Sequence, residues 1–594
     1  MSNLLYILFY FDLFVVQPKA VSAYISLVFR CRMRLSKIKG DELMKRSLTL
    51  VLVMVLILSL ALTACGPKAP AEPTPGEPVA EPKVLRMAQT TEPPNLDPQT
   101  STDTVSFEVL NGIYEGLVRV VNGEVKPGIA ENWDISEDGL TYTFHLRDAK
   151  WSDGKPVTAH DFEFAVKRLL DPALASEYSF QGYYLVNGEE FNTGAITDAS
   201  QVGVKALDEK TIEFKLVAPT KYFLALMGFG SFMPTREDVY NAHGTAYAAE
   251  ADKAVYNGPF VLTEWKHEES LTLEKNPEYW NTEAIKLDKV EMPIIKDSKT
   301  AVGMYEVGDL DYVGLSKDFV GKYKDAGDAK FYYDGALFYF QFNVKGSTPE
   351  MGKFLSNANF RKAFGYAIDR KQYIDAVMKN DSDPATRYAL PQLAGNEKLY
   401  VEEYPFDFYP ASADPAKAKE YLDKALKELN TTADKIPAIQ YLTDDTEDVR
   451  IMAEAIQEMV IKNLGIKFEI KQVPFKQRID LMNKKDYDLV FAGWGPDYDD
   501  PMTYLDLWVI GGGHNNTNWE DQTYTDLIKF AKSTADMKAR GEKMFEAEKR
   551  LLEEGPIVPV YIRRRAYAEQ PYVKNLVKNF VGATRDFVYT DIVK

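Results

Sequence analysis

Cysteine is almost absent from this chain of 594 residues, and its two cysteines, Cys31 and Cys65, both lie near the start. The body that follows therefore has no disulfide framework, no thiolate metal site and no cysteine nucleophile. Histidine is scarce too, with five in all, and none has the four-residue spacing of a helical metal site. We expect no metal and no cofactor.

Basic residues are also outnumbered, with 70 Lys and Arg against 88 Asp and Glu and a net charge of −18. Because such a chain repels phosphate backbones, we expect no nucleic-acid partner. Neither a GxxxxGK[ST] phosphate-binding loop nor a GxSxG nucleophile turn occurs. The composition, 45% hydrophobic and 27% charged, is that of a globular protein. Its length predicts at least two domains or lobes, since single cores stop growing at roughly 250–300 residues.

A secretory signal is predicted at residues 44–64, which run from Met-Lys-Arg through an apolar stretch to Leu-Thr-Ala before Cys65. The sequence around this cysteine resembles the lipobox of bacterial lipoproteins, which implies that Cys65 is diacylated and becomes the N-terminus. Two acyl chains hold a soluble domain on a membrane, where one would be marginal. The alternative is a transmembrane helix over 48–64, at the lower end of a membrane span.

Residues 1–43 are interpreted as an over-extended N-terminus, with a second membrane segment as the alternative. Residues 65–83 are rich in proline and poor in large apolar side chains. Such a segment stays extended, so we predict a tether between the lipid surface and the folded body.

Residues 158–161 have the pattern of a capping box that opens a helix through Leu170. Further along, strand-like and helix-like segments alternate, which predicts a parallel or mixed sheet covered by helices. The predicted strands are 439–442, 466–470 and 487–492, and the predicted helices are 415–429, 449–463 and 475–482. Ligands of such sheets gather beyond the carboxyl ends of the strands.

The segment 493–498 lies at such a strand end. Gly493 and Gly495 would let a backbone approach a ligand closely, Trp494 offers a flat apolar surface and Asp497 a carboxylate. The alternative is a structural turn with a core tryptophan and an aspartate that faces solvent.

Beyond this point the chain resembles, along nearly its whole length after the signal, the extracytoplasmic oligopeptide- and dipeptide-binding proteins of ABC importers. The segments that carry the resemblance are NLDP (95–98), IYEGL (113–117), WDISEDGLTY (133–142), FHLR (144–147), WSDG (151–154), TAHDF (158–162), NGPF (257–260), NPEYW (276–280), RKAF (361–364), AIDR (367–370) and GWGPDYDDP (493–501). Their number and common order make the resemblance specific, although each segment alone is weak.

The resemblance implies a two-lobed α/β fold like that of periplasmic binding proteins (type II, peptide-binding class), with an extra domain inserted in the N-terminal lobe. The implied boundaries are 84–117, 218–324 and 556–594 for lobe I, 118–217 for the inserted domain, and 325–555 for lobe II. The two lobes would close around the ligand.

The resemblance also implies a site. Asp497 would pair with the α-ammonium of a peptide, with Trp494 and Tyr498 beside it as walls of the cleft. In this family the segment after the Leu-Asp-Pro motif pairs with the ligand backbone, which corresponds here to Thr102, Asp103 and Thr104.

Three positions depart from some well-known relatives. Met482 and Phe491 lie where those relatives place basic side chains that contact peptide carboxylates, and Gln341 is uncharged where an acid can occur. The carboxyl end of the ligand is therefore expected to be held differently or left open.

The resulting hypothesis is a monomeric, lipid-anchored solute receptor, not an enzyme, on the outer face of the cytoplasmic membrane. It would capture oligopeptides and deliver them to the permease subunits of an ABC importer. Three alternatives stay open: a receptor for an oligosaccharide, an opine or a nickel complex; a surface hydrolase using Asp497 and Asp499; and an adhesin or signalling co-receptor.

Overall fold

The structure, a computed structural model, describes residues 81–121 and 123–594. The predicted extra N-terminus 1–43, the signal 44–64, Cys65 and nearly all of the tether 65–83 lie outside the described residues. Within the described ranges, no helix combines the length and apolar content needed to cross a membrane.

Lobe I contains a four-stranded sheet, here called the lobe I sheet. Its strands lie in the order Val84–Arg86, Lys289–Pro293, Ser270–Lys275 and Phe260–Lys266. The helix Thr104–Ile113 packs beside it, because Gly112 on that helix lies against the Leu273 side chain and the Phe587 ring.

The inserted domain has its own sheet. It is antiparallel throughout, with the strand order Ala130–Ile135, Thr141–Leu146, Thr211–Lys215 and Val204–Asp208. The predicted capping box is confirmed: Thr158 caps the helix Ala159–Leu169, and the Asp161 carboxylate accepts a hydrogen bond from the Thr158 N–H at 2.8 Å. This helix buries Phe162, Val166 and Leu169.

Lobe II is built on a larger sheet, here called the lobe II sheet. Its main path runs through Tyr312–Gly314, Ile557–Glu569, Lys330–Phe342, Leu489–Trp494, Ile439–Asp444 and Phe468–Val473. The last three strands are parallel to one another, as predicted. The three predicted helices are also confirmed, as Pro415–Glu428, Glu447–Leu464 and Phe475–Asn483.

Two predicted boundaries are wrong. The strand Ile557–Glu569, which we assigned to lobe I, pairs with Lys330–Phe342 along most of its length and so belongs to the lobe II sheet. Tyr312–Gly314, also assigned to lobe I, pairs with its far end. The alternation of side chains marks a strand but does not identify its partner, which here lies more than 200 residues away. The other boundaries remain predictions.

Two buried arginines of the resemblance segments hold lobe II together. Arg361 donates hydrogen bonds to the carbonyls of Gly555 and Leu355, and Arg370 donates to the carbonyls of Pro559 and Gly365. Burial lowers the pKa of each guanidinium to about 10. These cations are paired with backbone carbonyls and not with carboxylates. Their role is therefore to hold together backbone segments that are distant in the sequence.

The remaining elements are shorter or peripheral. The other helices are Gly188–Asn192, Phe223–Leu226, Glu237–His243, Ser298–Val307, Lys317–Ala326, Pro349–Leu355, Ala358–Ala367, Arg370–Tyr373, Tyr400–Glu403, Met502–Leu505, Gln522–Ser533 and Met537–Glu554. The other strands are Val118–Val121, Glu124–Pro127, Asp383–Pro384, Val573–Lys574, Val577–Lys578, Arg585–Asp586 and Asp591–Ile592.

Candidate functional site

A cleft with a volume of about 530 Å³ lies between the lobes. Lobe I and the inserted domain line it with Thr102 and Tyr178, among others, and lobe II lines it with Trp494, Asp497 and Arg563. Its volume is in the range of sites that enclose a small organic ligand.

The strand order explains why the segment 493–498 reaches the cleft. Leu489–Trp494 is a central strand of the lobe II sheet, and its carboxyl end lies beside that of Ile439–Asp444. The recorded pairing of these two parallel strands ends at Val490 with Leu442. The edge of 491–494 that faces Ile439–Asp444 therefore has no recorded strand partner within the described residues.

Asp497 is the most unusual charge in the cleft. The residue is 8% exposed, and its carboxylate accepts hydrogen bonds from Tyr178 Oη at 3.3 Å and Gln181 Nε2 at 2.9 Å. In the described part of the chain no cationic side chain lies within ion-pair distance of it. Burial raises the pKa of Asp497 well above its usual value, although the two hydrogen bonds oppose this. A buried carboxylate with neutral partners alone is a site that a cation would stabilise.

Trp494 forms one wall beside this carboxylate. Its ring stacks on Tyr178 with centroids 5.9 Å apart and meets His514 edge-on at 4.7 Å. The Trp494 Nε1–H and the His514 Nε2 have no hydrogen-bond partner among the described residues. Burial lowers the pKa of His514 to about 3, so its imidazole is neutral at physiological pH.

Tyr498 is not a wall of the cleft, which corrects its predicted place. The side chain is fully buried and stacks on Tyr222 with ring centroids 4.1 Å apart and planes 5° from parallel. Its hydroxyl lies 3.4 Å from that of Tyr184. Tyr498 therefore joins lobe II to the inserted domain and its neighbours, because the turn at 495–497 directs its ring away from the ligand space.

Gly493 and Gly495 differ in how much space a side chain would have at each position. A Cβ at Gly493 would lie 2.8 Å from the Phe338 ring, which pairs opposite it on the next strand. A Cβ at Gly495 would meet nothing closer than the Asp334 carbonyl at 3.9 Å. Gly493 is thus required by packing, whereas Gly495 faces open space in the cleft.

The segment 102–104, predicted to pair with the ligand backbone, lies at the cleft, but its three residues have different roles. Asp103 caps the helix Thr104–Ile113, because its carboxylate accepts hydrogen bonds from the N–H groups of Val105 and Ser106. Thr102 and Thr104 line the cleft. No hydrogen bond joins the N–H or C=O of Thr102 to another described residue, so both groups are open to a ligand backbone.

The basic side chains of the cleft come from positions that we did not identify from the sequence. Arg478 is paired with Asp444 at 2.6 Å, and Arg563 and Arg565 reach the cleft from the strand Ile557–Glu569. At the positions that departed from known relatives, Met482 and Gln341 line the cleft, and Gln341 donates to Tyr487 Oη at 2.7 Å. The Phe491 ring packs against the Phe338 ring, with centroids 5.8 Å apart and planes tilted by 32°.

The paired carboxylates of the hydrolase hypothesis do not converge. Asp499 is exposed and accepts a hydrogen bond from the Ala394 N–H at 2.9 Å. Asp500 is fully buried in ion pairs with Arg540 at 2.8 Å and Lys221 at 3.3 Å. Asp497 thus faces the cleft without a second acid of this motif beside it.

Several contacts close the cleft across the lobes. The inserted domain reaches lobe II through Tyr178 and Gln181 on Asp497, and through the Asn483 amide on the Glu177 carboxylate. Burial, with Asp480 nearby, raises the pKa of Glu177 to about 7. These contacts belong to a closed arrangement of the lobes.

Comparisons with known proteins agree with this architecture. The model of the bacterial extracellular solute-binding proteins, family 5 Middle, matches residues 124–516. The chain is 35% identical over 507 residues to the dipeptide-binding protein DppE of Bacillus subtilis, covering 84% of this chain and 90% of that relative. The structure of Listeria monocytogenes OppA bound to peptide is similar, with a TM-score of 0.80 and 33% identity, covering 87% of this chain and all of that one.

A further comparison bears on the conformation. The unliganded open form of the murein tripeptide-binding protein MppA gives a TM-score of 0.56 at 26% identity, covering 87% of this chain and 98% of that one. The lower score fits the closed arrangement described above. The expected two-lobed α/β fold of the peptide-binding class is confirmed. The chain therefore belongs to the bacterial extracellular solute-binding proteins of family 5.

Proposed function

We propose that this protein is a lipid-anchored extracytoplasmic receptor that captures oligopeptides in the interlobe cleft and delivers them to an ABC importer. Relatives named for dipeptide and oligopeptide binding, and a similar structure solved with peptide bound, support a peptide as the ligand. The receptor performs no chemistry. Ligand binding favours the closed form, and the importer recognises that form.

The observation that carries the proposal is the state of Asp497. Its carboxylate is buried in the cleft and has only neutral hydrogen-bond donors around it. A receptor for many peptide sequences must bind what all peptides share, and the α-ammonium group is one such feature. In the closed cleft that ammonium would lose its water, so a buried carboxylate is the partner it needs.

The backbone is the second feature that all peptides share, and two open backbone edges of the cleft can bind it. Pairing along the strand Leu489–Trp494 ends at Val490 on one side, and Thr102 has free N–H and C=O groups. An extended peptide between these two edges would add a strand, which provides affinity through main-chain hydrogen bonds and leaves side chains to enter pockets. This arrangement favours peptides over sugars, which have no such backbone.

The anchor and location rest on the sequence. The signal at 44–64 and the following Cys65 support export and acylation, and the proline-rich tether 65–83 supports a folded body held off the lipid surface. The receptor would act as a monomer that meets the permease subunits at the outer face of the cytoplasmic membrane.

Native mass spectrometry of the full-length protein, extracted in mild detergent from cells, tests the ligand class. We expect a series of added masses that resolve on release into short peptides. A single non-peptide mass would replace the peptide with an oligosaccharide, an opine or a nickel complex. If the protein emerges bare, calorimetric titration with tri-alanine follows, and absence of binding up to millimolar concentration would overturn the proposal.

A further inference from the structure

Two arginines of the cleft share one carboxylate. Arg563 and Arg565 stand two residues apart on the strand Ile557–Glu569 and so extend from the same face of it. Both bind the same oxygen, Oδ2 of Asp334, with Arg563 Nη2 at 2.5 Å and Arg565 Nε at 2.5 Å. The Asp334 side chain is fully buried. Burial alone would raise its pKa, but the two guanidinium groups lower it to about 2.

The charges of this cluster therefore do not balance. Two cations face one anion, which leaves a net charge of +1. Elsewhere in the cleft each of these cations has at least one acid of its own: Arg478 pairs with Asp444 at 2.6 Å, and Lys296 pairs with Asp445 at 3.5 Å and with Glu268 at 3.7 Å. In the described part of the chain, Asp334 is the only acceptor recorded for the Arg563 and Arg565 side chains, so N–H groups of both remain available.

The cluster adjoins the turn that carries Asp497. The Asp334 carbonyl lies 3.9 Å from the Cβ position of Gly495, and the next residue, Gly335, packs against Pro496. Arg563 also lies over the Phe338 ring, 4.9 Å from its centroid. Both arginines line the same cleft as Asp497.

We propose that Arg563, Arg565 and Asp334 form a carboxylate-binding subsite that selects ligands with an acidic group. The inference rests on the proposed peptide-binding function. The acidic group is either the free C-terminus of a short peptide or an Asp or Glu side chain. Two guanidinium groups offer parallel N–H donors to a carboxylate, and Asp334 holds them in place.

The strand order indicates how long a ligand must be to reach from Asp497 to the Arg563–Asp334–Arg565 cluster. The strand ending at Trp494 and the strand carrying Arg563 are separated by one strand, Lys330–Phe342. Two strand spacings are about 10 Å, and an extended chain advances about 3.3 Å per residue. With the ammonium on Asp497, an acidic group within about the first three residues of the ligand can therefore reach the cluster.

Three peptides separate the sources of the carboxylate: tri-alanine, tri-alanine amide and Ala-Ala-Glu amide. Their dissociation constants are measured by calorimetry for the full-length protein. We expect at least one of the two carboxylate peptides to bind about 10- to 100-fold more tightly than tri-alanine amide. Preference for tri-alanine identifies the C-terminus, and preference for Ala-Ala-Glu amide identifies a side chain.

Arg563→Gln is the decisive variant. It removes the excess charge but leaves Arg565 paired with Asp334, so no buried charge loses its partner. We expect it to abolish the preference for carboxylate peptides while binding of tri-alanine amide stays within about threefold. Arg565→Gln is the second variant and should act in the same way if Arg563→Gln does not fold.

Arg564→Gln is the matched control. Arg564 lies between the two arginines on the opposite face of the strand, against Phe331 and Tyr333. It should keep the preference. If the wild-type protein binds all three peptides equally, or if the preference survives Arg563→Gln, the subsite is refuted while the peptide receptor stands. If the wild-type protein binds none of them, the proposed function fails and the subsite with it.

Discussion

Replacing Asp497 with asparagine separates ligand binding from folding. The amide has nearly the shape of the carboxylate and stays neutral. In the structure Asp497 accepts one hydrogen bond from Tyr178 and one from Gln181, and the Gln181 Oε1 has no partner among the described residues. Rotation of the Gln181 amide would let that oxygen accept from the new Nδ2. We therefore expect Asp497→Asn to fold normally.

The loss of affinity follows from the burial of the site. Removing one member of a buried, hydrogen-bonded charge pair costs about 2–5 kcal/mol, because the other charge is left without a partner. For a peptide ammonium in the closed cleft this corresponds to a weakening of about 30-fold to several thousand-fold. The expected value is nearer the upper end, since the other recorded partners of Asp497 are neutral.

Asp497→Asn should weaken ligand binding, but it should not lower the stability of the ligand-free protein. Burial raises the folded-state pKa of Asp497 well above its unfolded value of about 4. Such a group stabilises the fold only while it is protonated, and that contribution is lost as pH rises towards the folded pKa. At neutral pH the carboxylate therefore destabilises the empty closed form, and asparagine removes that penalty. The Tm of the empty variant should equal or exceed that of the wild type.

Calorimetric titration with tri-alanine and thermal melting without ligand together test this reasoning. Asp499→Asn is the matched control, because Asp499 is the exposed neighbour outside the cleft and should leave affinity unchanged. An Asp497→Asn protein that melts like the wild type yet binds tri-alanine within threefold of it would refute the ammonium-pairing role. A large fall in its Tm would instead assign Asp497 a structural role.

Three other expectations follow from the same geometry. Peptide affinity should rise with pH through the raised pKa of Asp497, because binding an ammonium there releases the proton; titrations in two buffers of different ionisation enthalpy would detect that release. Gly493→Ala should lower the free energy of unfolding by about 1–3 kcal/mol through overpacking on Phe338, whereas Gly495→Ala should change it by less than about 0.5 kcal/mol; urea unfolding distinguishes them. Cys65→Ser should move the protein from the membrane fraction to the soluble fraction and end its labelling with radioactive fatty acid.

Local patterns in the sequence predicted the elements of lobe II well. The strand Ile439–Asp444 and the helix Glu447–Leu464 have the alternation, capping residue and terminal glycine that short-range physics requires. Because carboxyl ends of parallel strands share an edge, the position of Asp497 at the cleft also followed from the strand before it.

The rest of the site depends on contacts that no local pattern encodes. Tyr178 and Gln181 lie 319 and 316 residues from Asp497, and only closure of the inserted domain over lobe II brings them to it. Tyr498 was placed wrongly for a related reason, since a turn sequence does not tell which side chain faces the cleft and which faces Tyr222.

The two unmatched charges of the cleft offer a physical reason for ligand-dependent closure. Closing over an empty cleft removes water from Asp497 and from the Arg563–Asp334–Arg565 cluster. Asp497 must then keep an unpaired negative charge or take up a proton, and the cluster keeps one unmatched positive charge. Closing over a ligand with an ammonium at one end and a carboxylate within its first three residues gives each site a partner of opposite charge. A ligand shifts a conformational equilibrium only by its differential affinity for the two states. Here that difference would arise mainly in the closed form, where low polarity strengthens both ion pairs, so a zwitterion of the right length would favour closure more than one with the same groups at the wrong spacing.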